Sequence, residues 1–133
     1  MRAADTSVIV AAFGGWHEHH AAARKVISSG VALIGQCAAE AYSVLTRLPP
    51  PHRAPANVVA AFMASAFPEP PLVLHAAGYG DLAQRLAALG ISGGATYDAI
   101  VALTAAGSGA TLVSGDARAQ LVYERCGARF ELL

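Results

Sequence analysis

Charge is scarce in this sequence. Only 14% of its 133 residues are Asp, Glu, Lys or Arg, while 55% are hydrophobic, against roughly 25% charged in an average soluble domain. Nine basic and nine acidic residues cancel to a net charge of zero at pH 7. That balance argues against a strongly basic nucleic-acid binder, though it leaves room for a local basic rim. Cysteine is nearly missing. Cys37 and Cys126 are far apart, form no C-x-x-C metal pair, and read as buried thiols rather than a disulfide. A signal-peptide core is lacking, because the start of the chain meets an acid at Asp5. The longest uncharged stretch, Ala99 to Gly115, is interrupted by Gly107, Ser108 and Gly109 and is too short to span a bilayer. These absences predict a soluble cytoplasmic protein with no membrane partner. So few charges also leave little for a polar shell, and an apolar patch covered by a partner is expected. The length suits one domain over residues 1–133, which buries about two-thirds of its unfolded surface with no disulfide or metal staple.

What is present alternates. Arg2 to Ala4 reads as a short strand, and Asp5-Thr6-Ser7 as a helix N-cap cluster before the apolar run Val8–Phe13. His20 to Ser28 reads as a helix and Val31–Ile34 as a strand. Cys37 to Leu48 is a helix with Ala41, Val44, Leu45 and Leu48 on one face, stopped by Pro49-Pro50-Pro51. Pro55 to Phe67 is an Ala-rich helix, Leu72 to Leu74 a strand, and Asp81 to Leu89 a helix. After the loop Ser92-Gly93-Gly94, Thr96 is expected to cap a helix reaching about Ala106. Ala110 to Val113 is a strand, Asp116 opens a helix to Cys126, and Phe130 to Leu132 forms a last strand. Strands alternating with helices predict an α/β fold whose parallel sheet carries helices on both faces.

Four acids fall where chemistry gathers in such a fold. Asp5 follows the first strand, and Asp116 lies just beyond Val113. Glu40 and Asp98 sit in the first turns of helices. In an open parallel sheet the ligand crevice forms outside the carboxyl ends of the strands, so these acids should converge. Each taken singly also suits a bland role: Asp5, Asp98 and Asp116 as helix caps or first-turn acids, Glu40 as a solvated helix residue. Their neighbours weigh against that, since Ala38-Ala39-Glu40-Ala41 and Tyr97-Asp98-Ala99-Ile100 are unusually apolar places for an unpaired carboxylate. Clustered carboxylates repel one another unless a divalent cation neutralises them. All-oxygen ligands favour Mg²⁺ or Mn²⁺ over zinc, and the chemistry expected is phosphodiester hydrolysis.

Taken together, Ala4-Asp5-Thr6-Ser7-Val8-Ile9-Val10, Ala39-Glu40-Ala41, Ala95-Thr96-Tyr97-Asp98-Ala99-Ile100-Val101-Ala102 and Thr111-Leu112-Val113-Ser114-Gly115-Asp116 resemble the PIN domain, and within it the VapC toxins of bacterial toxin–antitoxin pairs. The resemblance implies a single PIN-like domain, a three-layer α/β/α sandwich around a parallel sheet of about five strands. It implies an Mg²⁺- or Mn²⁺-dependent endoribonuclease acting on structured RNA such as tRNA or rRNA. Asp5, Glu40, Asp98 and Asp116 would be its acidic quartet, with Asp5, Asp98 and Asp116 on the metal and Thr6, Ser7 and Ser114 supporting them. It further implies a homodimer and a small antitoxin whose C-terminal segment lies over the active-site groove. Two departures stand out: Gly115 occupies a position where the family often has a longer charged residue, and Pro49 to Ala54 is unusually Pro-rich. A PIN-type nuclease with an RNA-processing task, and a non-catalytic α/β binding module, are the alternatives.

Other motifs carry less. Trp16-His17-Glu18-His19-His20 fails the H-E-x-x-H zinc template and reads as a surface loop leading into a helix, with Trp16 or His17 free to stack on RNA. Arg118, half a helical turn from Asp116, is the best phosphate contact. Arg24, Lys25, Arg47 and Arg53 are weaker ones. An aspartyl phosphatase would need an acid two residues after Asp5, where Ser7 stands.

Overall fold

A computed structural model describes residues 1–133. Its elements are β1 (Arg2–Ala4), α1 (Thr6–Phe13), α2 (His20–Ser28), β2 (Ala32–Leu33), α3 (Gly35–Arg47), α4 (Ala56–Ala66), α5 (Ala76–Gly80), α6 (Leu82–Ala88), α7 (Ala95–Gly107), β3 (Thr111–Ser114), α8 (Gln120–Arg125) and β4 (Phe130–Leu132). All strand pairs are parallel, in the order β2-β1-β3-β4. The architecture is the expected α/β/α sandwich, with four strands in place of about five.

The missing strand is Leu72–Leu74, reduced to one bridge between Leu72 and Ile34. Leu72 exchanges hydrogen bonds of 2.8 Å with the carbonyl of Leu33 and the amide of Gly35. Pairing stops there because β2 offers only two residues before α3 begins at Gly35, and Pro70 and Pro71 have no N–H to extend it on the other side. Two helix ends also differ from expectation. Thr96 lies inside α7, which starts at Ala95 with no side-chain cap. Asp116 precedes a turn, and α8 begins only at Gln120.

The centre of the sheet explains the apolar composition. Ala3 and Ala4 of β1 and Leu112 and Val113 of β3 are buried, as parallel strands covered on both faces must be. Helix α7 is buried from Ala99 to Ala105. Its small residues Ala99, Ala102 and Ala105 let neighbours approach closely, and the Thr104 hydroxyl is satisfied by the Ile100 carbonyl at 2.6 Å. Gly109, at φ +68, makes the left-handed turn that sends α7 into β3. A smaller core of Leu45, Ala54 and Val59 joins α3 and α4 to α1, where Phe13 meets Phe62 edge-on at 5.3 Å. Cys37 and Cys126 are buried free thiols. The large exposed apolar residues, among them Tyr42, Val58, Val73, Tyr79, Tyr97 and Leu121, are spread over several elements. No helix is long and apolar enough to cross a membrane.

The strand order fixes where a site can form. The chain leaves β1 for β2 on one side and later returns to β3 on the other, so the crevice between the carboxyl ends of β1 and β3 is the topological switch point. Asp5 directly follows β1, and its amide binds the Val113 carbonyl at 3.1 Å. Gly115 and Asp116 follow β3.

Candidate active site

A cavity of about 310 Å³ opens at this switch point, and Asp5, Glu40, Asp98 and Asp116 all line it. Asp5 is 3% exposed and does cap α1: its Oδ1 accepts the Val8 amide at 3.3 Å. Oδ1 also accepts the Ser7 hydroxyl, and Oδ2 accepts the Tyr123 hydroxyl at 2.9 Å. A cap alone needs one acceptor, whereas here both oxygens are held. Tyr123, 2% exposed, has its phenol pushed well above its ordinary range, by burial first and then by the adjacent Asp5 charge. It therefore remains a proton donor to Asp5.

The other acids are held by shorter-range means. Glu40 receives Thr6 Oγ1 at 2.8 Å and Gln36 Nε2 at 3.0 Å. Asp116 Oδ1 accepts the Arg118 amide at 2.9 Å, with Arg118 Nε at 3.4 Å. Ser114 Oγ binds the amide of Asp116 at 3.0 Å, so it steadies the backbone there and not the carboxylate. Ser7 Oγ accepts the Gly115 amide at 2.7 Å, tying the end of β1 to the end of β3. A Cβ at Gly115 would stand 3.4 Å from Ser7 Oγ and from Leu133 Cδ1, so a larger residue there would press on this junction.

Asp98 carries the electrostatic strain. Its carboxyl is raised above the ordinary value, first by burial and then by Glu40, Asp116 and Asp5, with Arg118 opposing. Three other acids acting on one is the signature of a shared pocket. No three of these side chains, even with His and Cys counted, converge into a ready-made metal cluster. Asp5 and Asp116 are instead turned to protein donors. The acidic donors nonetheless fit a hard divalent cation: four carboxylates from separate elements or turns line one cavity, and Asp5 Oδ2 and Asp116 Oδ2 keep lone pairs free for it. The only sulfur in the lining is Cys37, whose thiol burial pushes far up, and a protonated thiol is no ligand.

The basic side chains expected to meet phosphate do not line the cavity itself. The Arg118 side chain is 94% exposed and stands outside the cavity wall, as do Arg24, Lys25, Arg47 and Arg53. Arg53 is spent on the Leu48 carbonyl at 2.9 Å. His17 and His19 do line the cavity. His20, the last residue of that motif, binds the Ala11 carbonyl through Nδ1 at 2.8 Å.

An acidic cavity at the switch point of a parallel sheet, with this order of acids along the chain, agrees with a family match: residues 3–125 fit the PIN domain. The chain belongs to the PIN-domain family. Over its full 133 residues it is 48% identical to Ribonuclease VapC40 of Mycobacterium tuberculosis, covering 99% of that protein. It is also 41% identical over 129 residues to Ribonuclease VapC27 of the same organism, across 94% of this chain and 91% of that one.

Proposed function

We propose that this protein is a metal-dependent endoribonuclease and the toxin of a VapB–VapC toxin–antitoxin pair. One observation carries the nuclease reading: Asp5, Glu40, Asp98 and Asp116, distant in sequence, line one cavity at the sheet's switch point. The full-length similarity to two VapC ribonucleases supports the toxin assignment.

Asp5, Asp98 and Asp116 would hold Mg²⁺ or Mn²⁺. Bound there, the cation would orient and acidify a water and stabilise charge on the scissile phosphate. Tyr123 and Ser7 hold the Asp5 carboxylate in one orientation, so it presents the same lone pair to the cavity each time. Thr6 and Gln36 fix Glu40 in the cavity wall. Arg118 steadies Asp116 through Nε and offers the outer edge of its guanidinium to an RNA phosphate. A homodimer and a small antitoxin lying over the groove would cover the exposed apolar residues that a charge-poor chain cannot avoid. The cellular setting is the cytoplasm, and the substrate class is a structured RNA.

The test is incubation of purified protein with total RNA in Mn²⁺ and in EDTA, followed by mapping of new ends. Discrete ends that vanish in EDTA, and in Asp5→Asn or Asp98→Asn, are expected. Cleavage by either variant at near wild-type rate would remove the site assignment. A chain that binds no Mn²⁺ at millimolar concentration would be a binding module whose acids serve only as caps.

A further inference from the structure

We propose that the rings of His19, His17, Trp16 and His52 form a stacking track that receives the bases of unpaired RNA as the strand leaves the carboxylate cavity, an inference that rests on the nuclease reading above. The track starts inside the site, because His17 and His19 share the cavity wall with the acids. From there the ring centroids follow one another: His19 to His17 at 5.7 Å, His17 to Trp16 at 5.7 Å, and Trp16 to His52 at 4.4 Å with the planes 35° apart. Three rings come from the turn between α1 and α2. The fourth comes from the Pro-rich loop between α3 and α4, a different part of the chain.

The row is built and then left in water. A Cβ at Gly14 would stand 2.7 Å from the indole, so only glycine lets Trp16 lie this close to the backbone. Backbone bonds from His17 to Gly14 at 2.9 Å and from His20 to His17 at 3.1 Å close the turn, and His17 Nδ1 accepts the His19 amide at 3.0 Å. Yet Trp16 remains 45% exposed. That leaves open indole surface next to His17 and His52 for a base to cover. A metal site would turn imidazole nitrogens toward one point, and no such group forms.

Charge explains why RNA suits this surface. The chain is neutral overall and its cavity is acidic, so Coulomb attraction does little to bring a polyanion in. Base stacking needs no charge, and any base has a π-face to offer. Duplex RNA keeps its bases paired and stacked, so the track selects unpaired nucleotides.

Trp16 is the only tryptophan, so its fluorescence reports on the track directly. The protein is titrated in EDTA, where no cleavage occurs, with a single-stranded oligoribonucleotide of about eight nucleotides, within the range of known single-strand sites. Quenching of Trp16 is expected with this strand and not with an abasic strand of the same length or with a duplex. His52→Ala should weaken binding about 5- to 10-fold, near the low end of a lost base stack, and lower kcat/KM in Mn²⁺ through KM. Equal binding of the abasic strand, or an unquenched Trp16 at strand concentrations that saturate cleavage, overturns the track and leaves the nuclease standing. Quenching without any Mn²⁺-dependent cleavage upholds the track and overturns the nuclease.

Discussion

At the scale of single residues, the Tyr123–Asp5 bond has the clearest consequence. Tyr123→Phe removes only the hydroxyl and keeps the ring beside Phe130, 6.1 Å away. Loss of such a supporting hydrogen bond typically costs about 10-fold or more in metal affinity. Calorimetric titration with Mn²⁺ should find that loss, and a dissociation constant within twofold of wild type would mean that Tyr123 merely packs. Asp98 predicts an effect of opposite sign on stability. Its carboxyl is raised from an ordinary 3.8, so the folded state holds its proton longer than the unfolded state. Stability therefore falls as pH climbs from the ordinary value through the raised one, and above that the penalty is constant. Asp98→Asn removes the penalty. In EDTA at pH 7 the variant should melt a few degrees higher than wild type, while at pH 3 the two should melt alike. A lower melting temperature at pH 7 would contradict the repulsion. The two residues differ in how legible they were. Asp98 stood out as an acid among apolar neighbours. Tyr123 did not, because a tyrosine inside a helix reads as ordinary core, and nothing local points to a carboxylate 118 positions away.

At the scale of elements, the order of strands and helices was readable from apolar runs punctuated by Gly and Pro. What failed were decisions made by partners. Leu72–Leu74 has strand composition, but a strand needs a neighbour long enough to pair with, and β2 is two residues. Helix α5, Ala76–Gly80, has no local sequence signal, because two glycines in five residues oppose a helix. Thr96 looked like a cap because its hydroxyl suits one, yet α7 starts one residue earlier at Ala95. The burial of α7 makes it intolerant of size. Ala102 is fully buried, and Ala102→Leu should destabilise the fold by about 1–3 kcal/mol through overpacking. Urea denaturation would register this as a lower midpoint, and an unchanged midpoint would mean that α7 packs loosely.

At the scale of the whole molecule, neutrality has a measurable result. A single-stranded RNA contact contributes about −0.7 per neutralised phosphate to the slope of log affinity against log salt. With few cations near the cavity, binding should show a shallow slope, no steeper than about −1.5. Arg118→Ala should flatten it by about 0.7, and a steep slope that Arg118→Ala leaves unchanged would point to a basic surface elsewhere. Composition alone set this expectation of a weakly electrostatic binder. It did not set the convergence of Trp16 and His52, which depends on how α3 and α4 bring a loop back toward α1.

The arrangement of the sheet also bears on when the protein can act. β1 is made before β3 and α8, yet Ala4 pairs with Val113 and Asp5 is oriented by Tyr123. A nascent chain that has not yet reached β3 and α8 has Asp5 unsupported and its crevice open. The acidic site is thus aligned only once β3 and α8 have been made, and a chain interrupted between Asp116 and Tyr123 would carry the four acids without the phenol that orients the first.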